Sequence, residues 1–121
     1  MSAWSEQEQR ALVAAYNAMM RASSTGKPFN KAAINRYLRN DSNNTKQELA
    51  NHLQASQIGL ATVSPPVSYC GALRDRSRGS VELKLMNISG ARAHLGMPIL
   101  PGYKAAPNYQ KSLETYIKEA I

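Results

Sequence analysis

Apolar positions along this chain recur at helical spacing in several windows, with runs of polar turn residues between them. Leu12, Val13, Tyr16, Met19 and Met20 form an i, i+1, i+4, i+7, i+8 stripe. Ser5-Glu6-Gln7-Glu8 precedes it with the form of a capping box, and Ser23-Ser24-Thr25-Gly26 before Pro28 closes it. These signals predict a first helix, with Met19 and Met20 as core filler. Asn30 caps a second, short helix through Leu38, with Ile34, Tyr37 and Leu38 inward and Lys31, Arg36 and Arg39 outward. The run Asn40-Asp41-Ser42-Asn43-Asn44 ends it, because these side chains compete for backbone hydrogen bonds. Thr45-Lys46-Gln47-Glu48 is a second capping box, opening a helix predicted to turn Leu49, Leu53 and Gln57-Ile58 inward.

Gly59 to Ala72 contains Pro65-Pro66 and Gly71 and reads as an extended loop or a short strand, at most a β ribbon within 59–73. A fourth helix follows. Ser77 can cap it, and Val81, Leu85 and Ile88 recur at i, i+4, i+7 up to about Leu95-Gly96. Pro98, Pro101 and Gly102 make Met97 to Pro107 an irregular arm. The last helix is predicted from about Asn108, with Tyr109, Leu113, Tyr116, Ile117 and Ala120 on one face. The expected fold class is therefore mainly all-α: a small helical bundle with a helix-turn-helix-like core. It would form one domain over 1–121, with an insertion at about 40–73 and a C-terminal arm and helix over about 97–121. Trp4, beside the first cap, should be at least partly buried against the first and central helices.

Composition narrows the functional classes. With 43% hydrophobic and 19% charged residues the chain lies in the globular range, and no apolar run approaches the ~18 residues of a membrane span. The N-terminus lacks the basic and apolar regions of a secretion signal, so a cytoplasmic protein is expected. Cys70 is the single cysteine and fits a reducing compartment, as a packed or loop residue rather than a nucleophile. His52 and His94 have no second ligand at metal spacing, and no phosphate loop, nucleophile elbow or Cys–His pairing is evident. Glu6 and Glu8 read as helix-start anions. No catalytic residue, metal or cofactor is expected, and the chain reads as a non-enzyme.

Binding chemistry is better represented. Fifteen Lys and Arg against eight Asp and Glu give a net charge of +7. The excess gathers around the fourth helix, where Arg74, Arg76, Arg78, Lys84 and Arg92 face only Asp75 and Glu82. Such a local positive field suits a polyanion, nucleic acid first. Ser80, Lys84, Asn87 and Ala91 lie at i, i+4, i+7, i+11 on a flank beside the apolar stripe. In the binding reading, the segment from Arg74 to Asn87 docks on duplex DNA: Arg76 and Arg78 hold phosphates, Gly79 permits close backbone approach, and Ser80, Lys84 and Asn87 face a groove. Lys104 extends the contact from the arm. The alternative is a solvated helix face whose arginines pair with carboxylates elsewhere in the fold.

Several segments also resemble a known family. They are Trp4-Ser5, Pro28-Phe29-Asn30-Lys31 with Asn35-Arg36, Arg76-Ser77-Arg78-Gly79-Ser80-Val81-Glu82-Leu83-Lys84 with Met86-Asn87-Ile88-Ser89, and Leu95-Gly96 leading to Pro101-Gly102-Tyr103-Lys104 and Asn108-Tyr109. Together they resemble the N-terminal helical module that precedes HNH-type nuclease domains in bacterial restriction-like proteins. More loosely, a Trp in the first helix and a later Arg-Ser-opened helix are similar to Myb and SANT domains. The resemblance implies a DNA-binding module of a defence or restriction-type system, as a piece of a longer protein or as a free-standing phage or mobile-element relative. It also implies a nuclease domain or subunit as a further partner. Two departures stand out: the long 40–73 segment, and Gly90-Ala91-Arg92, where an apolar residue is the pattern and the helix is expected to end or kink near Ser89. A second function, from another class, is a protein-interaction protein, a small inhibitor or nuclease adaptor, docking through the stripe on the last helix.

Overall fold

The first helix, α1, spans Glu6–Ser24 and starts where its capping box predicts. Ser5 Oγ accepts from the Glu8 N–H at 3.1 Å while Glu8 Oε1 accepts from the Ser5 N–H at 2.9 Å. The computed structural model describes residues 3–40, 45–60 and 70–120. Among these the fold is all-helical: α2 covers Lys31–Arg39, α3 Thr45–Gln57, α4 Arg78–His94 and α5 Ser112–Glu119. Asn30 caps α2 by accepting from the Ala33 N–H at 3.1 Å. Asn40 ends α2 in the left-handed conformation at φ 47°, ψ 39°, which a short amide side chain tolerates. Ser77 caps α4, accepting from the Ser80 N–H at 3.2 Å.

Helix α1 packs on α4 and α5, α4 also on α2 and α5, and α2 on α3. Leu12, Tyr16 and Met19 of α1, Ile34 and Leu38 of α2, Leu85 and Ile88 of α4, and Leu113 and Ile117 of α5 share one core. Alanines at 11, 15, 18 and 22 line α1 and leave room for its neighbours to approach. The Tyr16 hydroxyl ties three segments together, accepting from the Leu100 N–H at 2.6 Å and bonding Ser89 Oγ at 2.8 Å. The arm is thereby fixed to α1 and α4. Trp4 is buried, its backbone held by the side chains of Gln9 and Gln110.

Three local expectations are corrected. Helix α4 does not end at Ser89: it runs through Gly90 to His94. Gly90 is there because the arm crosses it, and a Cβ would collide with the Ala106 carbonyl. Ile58, just past α3, is buried as expected, but within the helix the inward positions are Asn51 and Ala55, and Leu49 and Leu53 point outward. Its apolar period misleads because a polar Asn51 occupies the inward face. Helix α5 begins at Ser112 rather than Asn108, since Gln110 is engaged with the Trp4 backbone and Tyr109 donates to Glu114. Of the segment 59–73, where at most a β ribbon is expected, residues 59 and 70–73 form turns, Leu60 is in a 3₁₀ turn, and 61–69 lie outside the described residues.

Candidate nucleic-acid interface

Helix α2 braces the entry of α4 and the arm with side chains one turn apart. Asn35 Nδ2 donates to the Arg78 carbonyl at 3.2 Å, and Lys31 Nζ donates to the Gly102 carbonyl at 2.8 Å. Residues four apart on a helix lie about 6 Å from each other along one face. The start of α4 and the arm carrying Lys104 therefore meet along one edge of α2. Asn35 is itself oriented by Arg39, whose Nε donates to Asn35 Oδ1 at 2.6 Å. Lys31 also lies 4.3 Å from the Tyr103 ring centre, so its charge is spent on the brace. Tyr103 is buried against Met19, which pushes its hydroxyl pKa upward.

The residues expected to contact DNA separate into two groups. Arg74, Arg78 and Lys104 are exposed and make no ion pair among the described residues; Arg74 only donates from Nε to the Gly71 carbonyl at 3.0 Å. The Ser77 side chain accepts from Ser80 and not from the N–H groups of Arg78 and Gly79, which lie in the exposed first turn. Gly79 is exposed, and an added Cβ there would meet open space. Nothing inside the fold requires a glycine at that position.

Arg76 belongs to the other group. It pairs with Glu8 at 2.6 and 2.8 Å, donates to the Ala3 carbonyl at 3.1 Å and lies 4.1 Å above the Trp4 ring. It follows the alternative reading, an arginine paired within the fold. The Arg76 hydrogen bond holds the Glu8 carboxyl below its ordinary range, against the opposing effect of burial. Lys84 is half-buried, 5.5 Å from the same ring, and its pKa is lowered by burial and by neighbouring Arg76. Ser80 is half-buried, its hydroxyl donating to the Ser77 carbonyl at 2.9 Å. Asn87 is 2% exposed and donates to the Ala106 carbonyl at 3.1 Å. It is a structural latch for the arm, and no groove can reach it. The predicted flank sinks into the core beyond Lys84, because the arm covers it.

Other chemistry is sparse. A cleft lined by Asn17, Met20, Arg21, Arg92, Met97 and Ala120 has about 250 Å³, short of the ~300–1,000 Å³ usual for ligand pockets, and pairs no base with a nucleophile. Arg92, buried there, donates to the Pro98 carbonyl at 2.6 Å. Among the described residues no three His, Cys, Asp or Glu gather as metal ligands, and no helix is long and apolar enough to cross a membrane. One pairing departs from the sequence reading: Cys70 Sγ lies 3.5 Å from His52 Nε2. Eighteen residues separate them, with no motif spacing to betray the contact. The braces Asn35 and Lys31 were also missed; polar Asn35 beside Ile34 on an inward face was the available signal. Comparisons with protein-family models, curated proteins and solved structures find no match.

Proposed function

We propose that this chain is a non-catalytic duplex DNA-binding module that grips backbone phosphates with the entry of α4. The observation that carries this is the pair of exposed Arg74 and Arg78, which form no ion pair among the described residues, at an exposed helix start beside a glycine where an added Cβ meets open space. Lys104 extends the same edge through the α2 brace. The buried Asn87 leaves little for base reading, so contacts to phosphate dominate and sequence preference is weak. The resemblance to modules preceding HNH-type nuclease domains supports a role in a bacterial or phage restriction-type system, with a nuclease domain or subunit as the further partner. Titration with duplex DNA at two salt concentrations tests the reading, comparing the parent with an Arg74→Ala, Arg78→Ala, Lys104→Ala variant. The parent should bind with a steep salt dependence and the variant should lose both affinity and slope. No binding by the parent at low salt, or equal binding by the variant, overturns it.

The second reading, a protein-interaction role through α5, loses its surface, because Leu113 and Ile117 are 3% and 2% exposed. The outward leucines lie on α3 instead, with Leu49 70% and Leu53 58% exposed, and a nuclease subunit is the partner they would meet.

A further inference from the structure

Cys70 sits on a turn that is fastened to α2: the Gly71 N–H donates to the Tyr37 carbonyl at 3.1 Å and the Leu73 N–H to the Leu38 carbonyl at 2.8 Å. This holds the thiol between the end of α2 and the middle of α3. His52 of α3 presents Nε2 to the sulfur at 3.5 Å, and its ring packs edge-on against Tyr37 at 5.1 Å and 86°. Asn40 Oδ1 lies 3.7 Å from the same sulfur. A nucleophile within hydrogen-bond reach of a base, with the base held by a third side chain, is the arrangement that activates cysteine. The thiol is half-buried and the imidazole exposed, so a small molecule can reach both.

We infer that Cys70 and His52 form a reactive thiol–imidazole pair that accepts a small thiol by exchange with a low-molecular-weight disulfide of the glutathione type. His52 Nε2 takes the thiol proton as Sγ attacks one sulfur of the disulfide. The Sγ–S bond forms, the original S–S bond breaks, and the departing sulfur leaves as a thiolate that recovers the proton from the imidazolium. Cys70 is oxidised to a mixed disulfide and half of the reagent is reduced to thiol. His52 of α3 and Tyr37 of α2 are titratable groups that interact with the sulfur. The site is independent of the DNA reading.

The test uses the full chain with glutathione disulfide, followed by intact mass, and with a chromogenic aromatic disulfide, followed by absorbance. The reference is the same chain unfolded in urea, where Cys70 loses its neighbours. Folded parent should react at least about tenfold faster than the unfolded chain, and His52→Ala should return the folded rate to the reference while its helical spectrum is unchanged. His52→Gln, which keeps a polar side chain on the exposed face, provides the same readout should the alanine variant lose structure. A folded parent no faster than the unfolded chain, or a histidine variant as fast as the parent, overturns the proposal.

Discussion

Arg76 Nε stands 2.6 Å from Glu8 Oε2, closing a contact between the turn before α4 and the first turn of α1 across 68 residues of sequence. Both side chains are largely shielded, with relative exposures of 16% and 15%, and Arg76 also covers Trp4. The same carboxylate completes the α1 capping box through Oε1. Removing Arg76 therefore loosens a helix start and an indole as well as an ion pair.

Arg76→Ala should cost about 2 kcal/mol in urea unfolding, the range for hydrogen bonds to a charged, shielded partner. The pH dependence has a definite sign. The Glu8 carboxyl is lowered from its ordinary 4.5 in the folded chain, so the unfolded chain takes up the proton first as pH falls. Its contribution is complete above about pH 4.5 and is lost as pH drops through the folded value. Glu8→Gln should show a shallower fall in stability in that acidic window than the parent; identical curves would mean that the pair contributes nothing.

Gly90→Ala should be destabilising by about 1–3 kcal/mol, although alanine is the better helix former, because its Cβ meets the Ala106 carbonyl. The Ala106 N–H donates to the Met86 carbonyl at 3.1 Å and its carbonyl accepts from Asn87, so the arm has no slack at this crossing. A variant with raised stability in urea would show that the arm is free to move away.

Tyr16→Phe removes the acceptor of the buried Leu100 N–H and the partner of Ser89. An orphaned buried donor costs about 1–3 kcal/mol. Amide hydrogen exchange should quicken at Leu100 before it does in α1, since the arm loses its anchor while the helix keeps its packing. Unchanged protection at Leu100 would refute the anchoring role.

What was legible in the sequence was local. The Ser5, Asn30 and Ser77 caps and the α1 and α4 stripes act within a few residues, and each stands where it was expected. What was not legible depends on distant chain. Gly90 reads as a helix breaker until Ala106 lies against it, Asn87 reads as a groove contact until the arm covers it, and Arg76 reads as free until Glu8 meets it. Leu49 and Leu53 failed for a different reason, since α3 buries a stripe containing Asn51 and its leucines cannot reveal which face packs.

The division of the basic cluster gives the sharpest test of the interface. Arg78 and Asn87 both lie on α4, and the sequence points both at DNA, yet Arg78 is exposed without an ion pair among the described residues and Asn87 is buried on the arm. Arg78→Ala should leave the urea midpoint nearly unchanged, because α2 holds its carbonyl and not its guanidinium. It should weaken binding to all duplexes alike and reduce the salt slope by about one unit. Asn87→Ala should do the reverse, costing about 1 kcal/mol of stability while leaving the ranking of DNA sequences as in the parent. A change of about 1–3 kcal/mol in preference at one base pair on replacing Asn87 would mean that the arm lifts to expose it, and the interface would then extend along α4 into the groove.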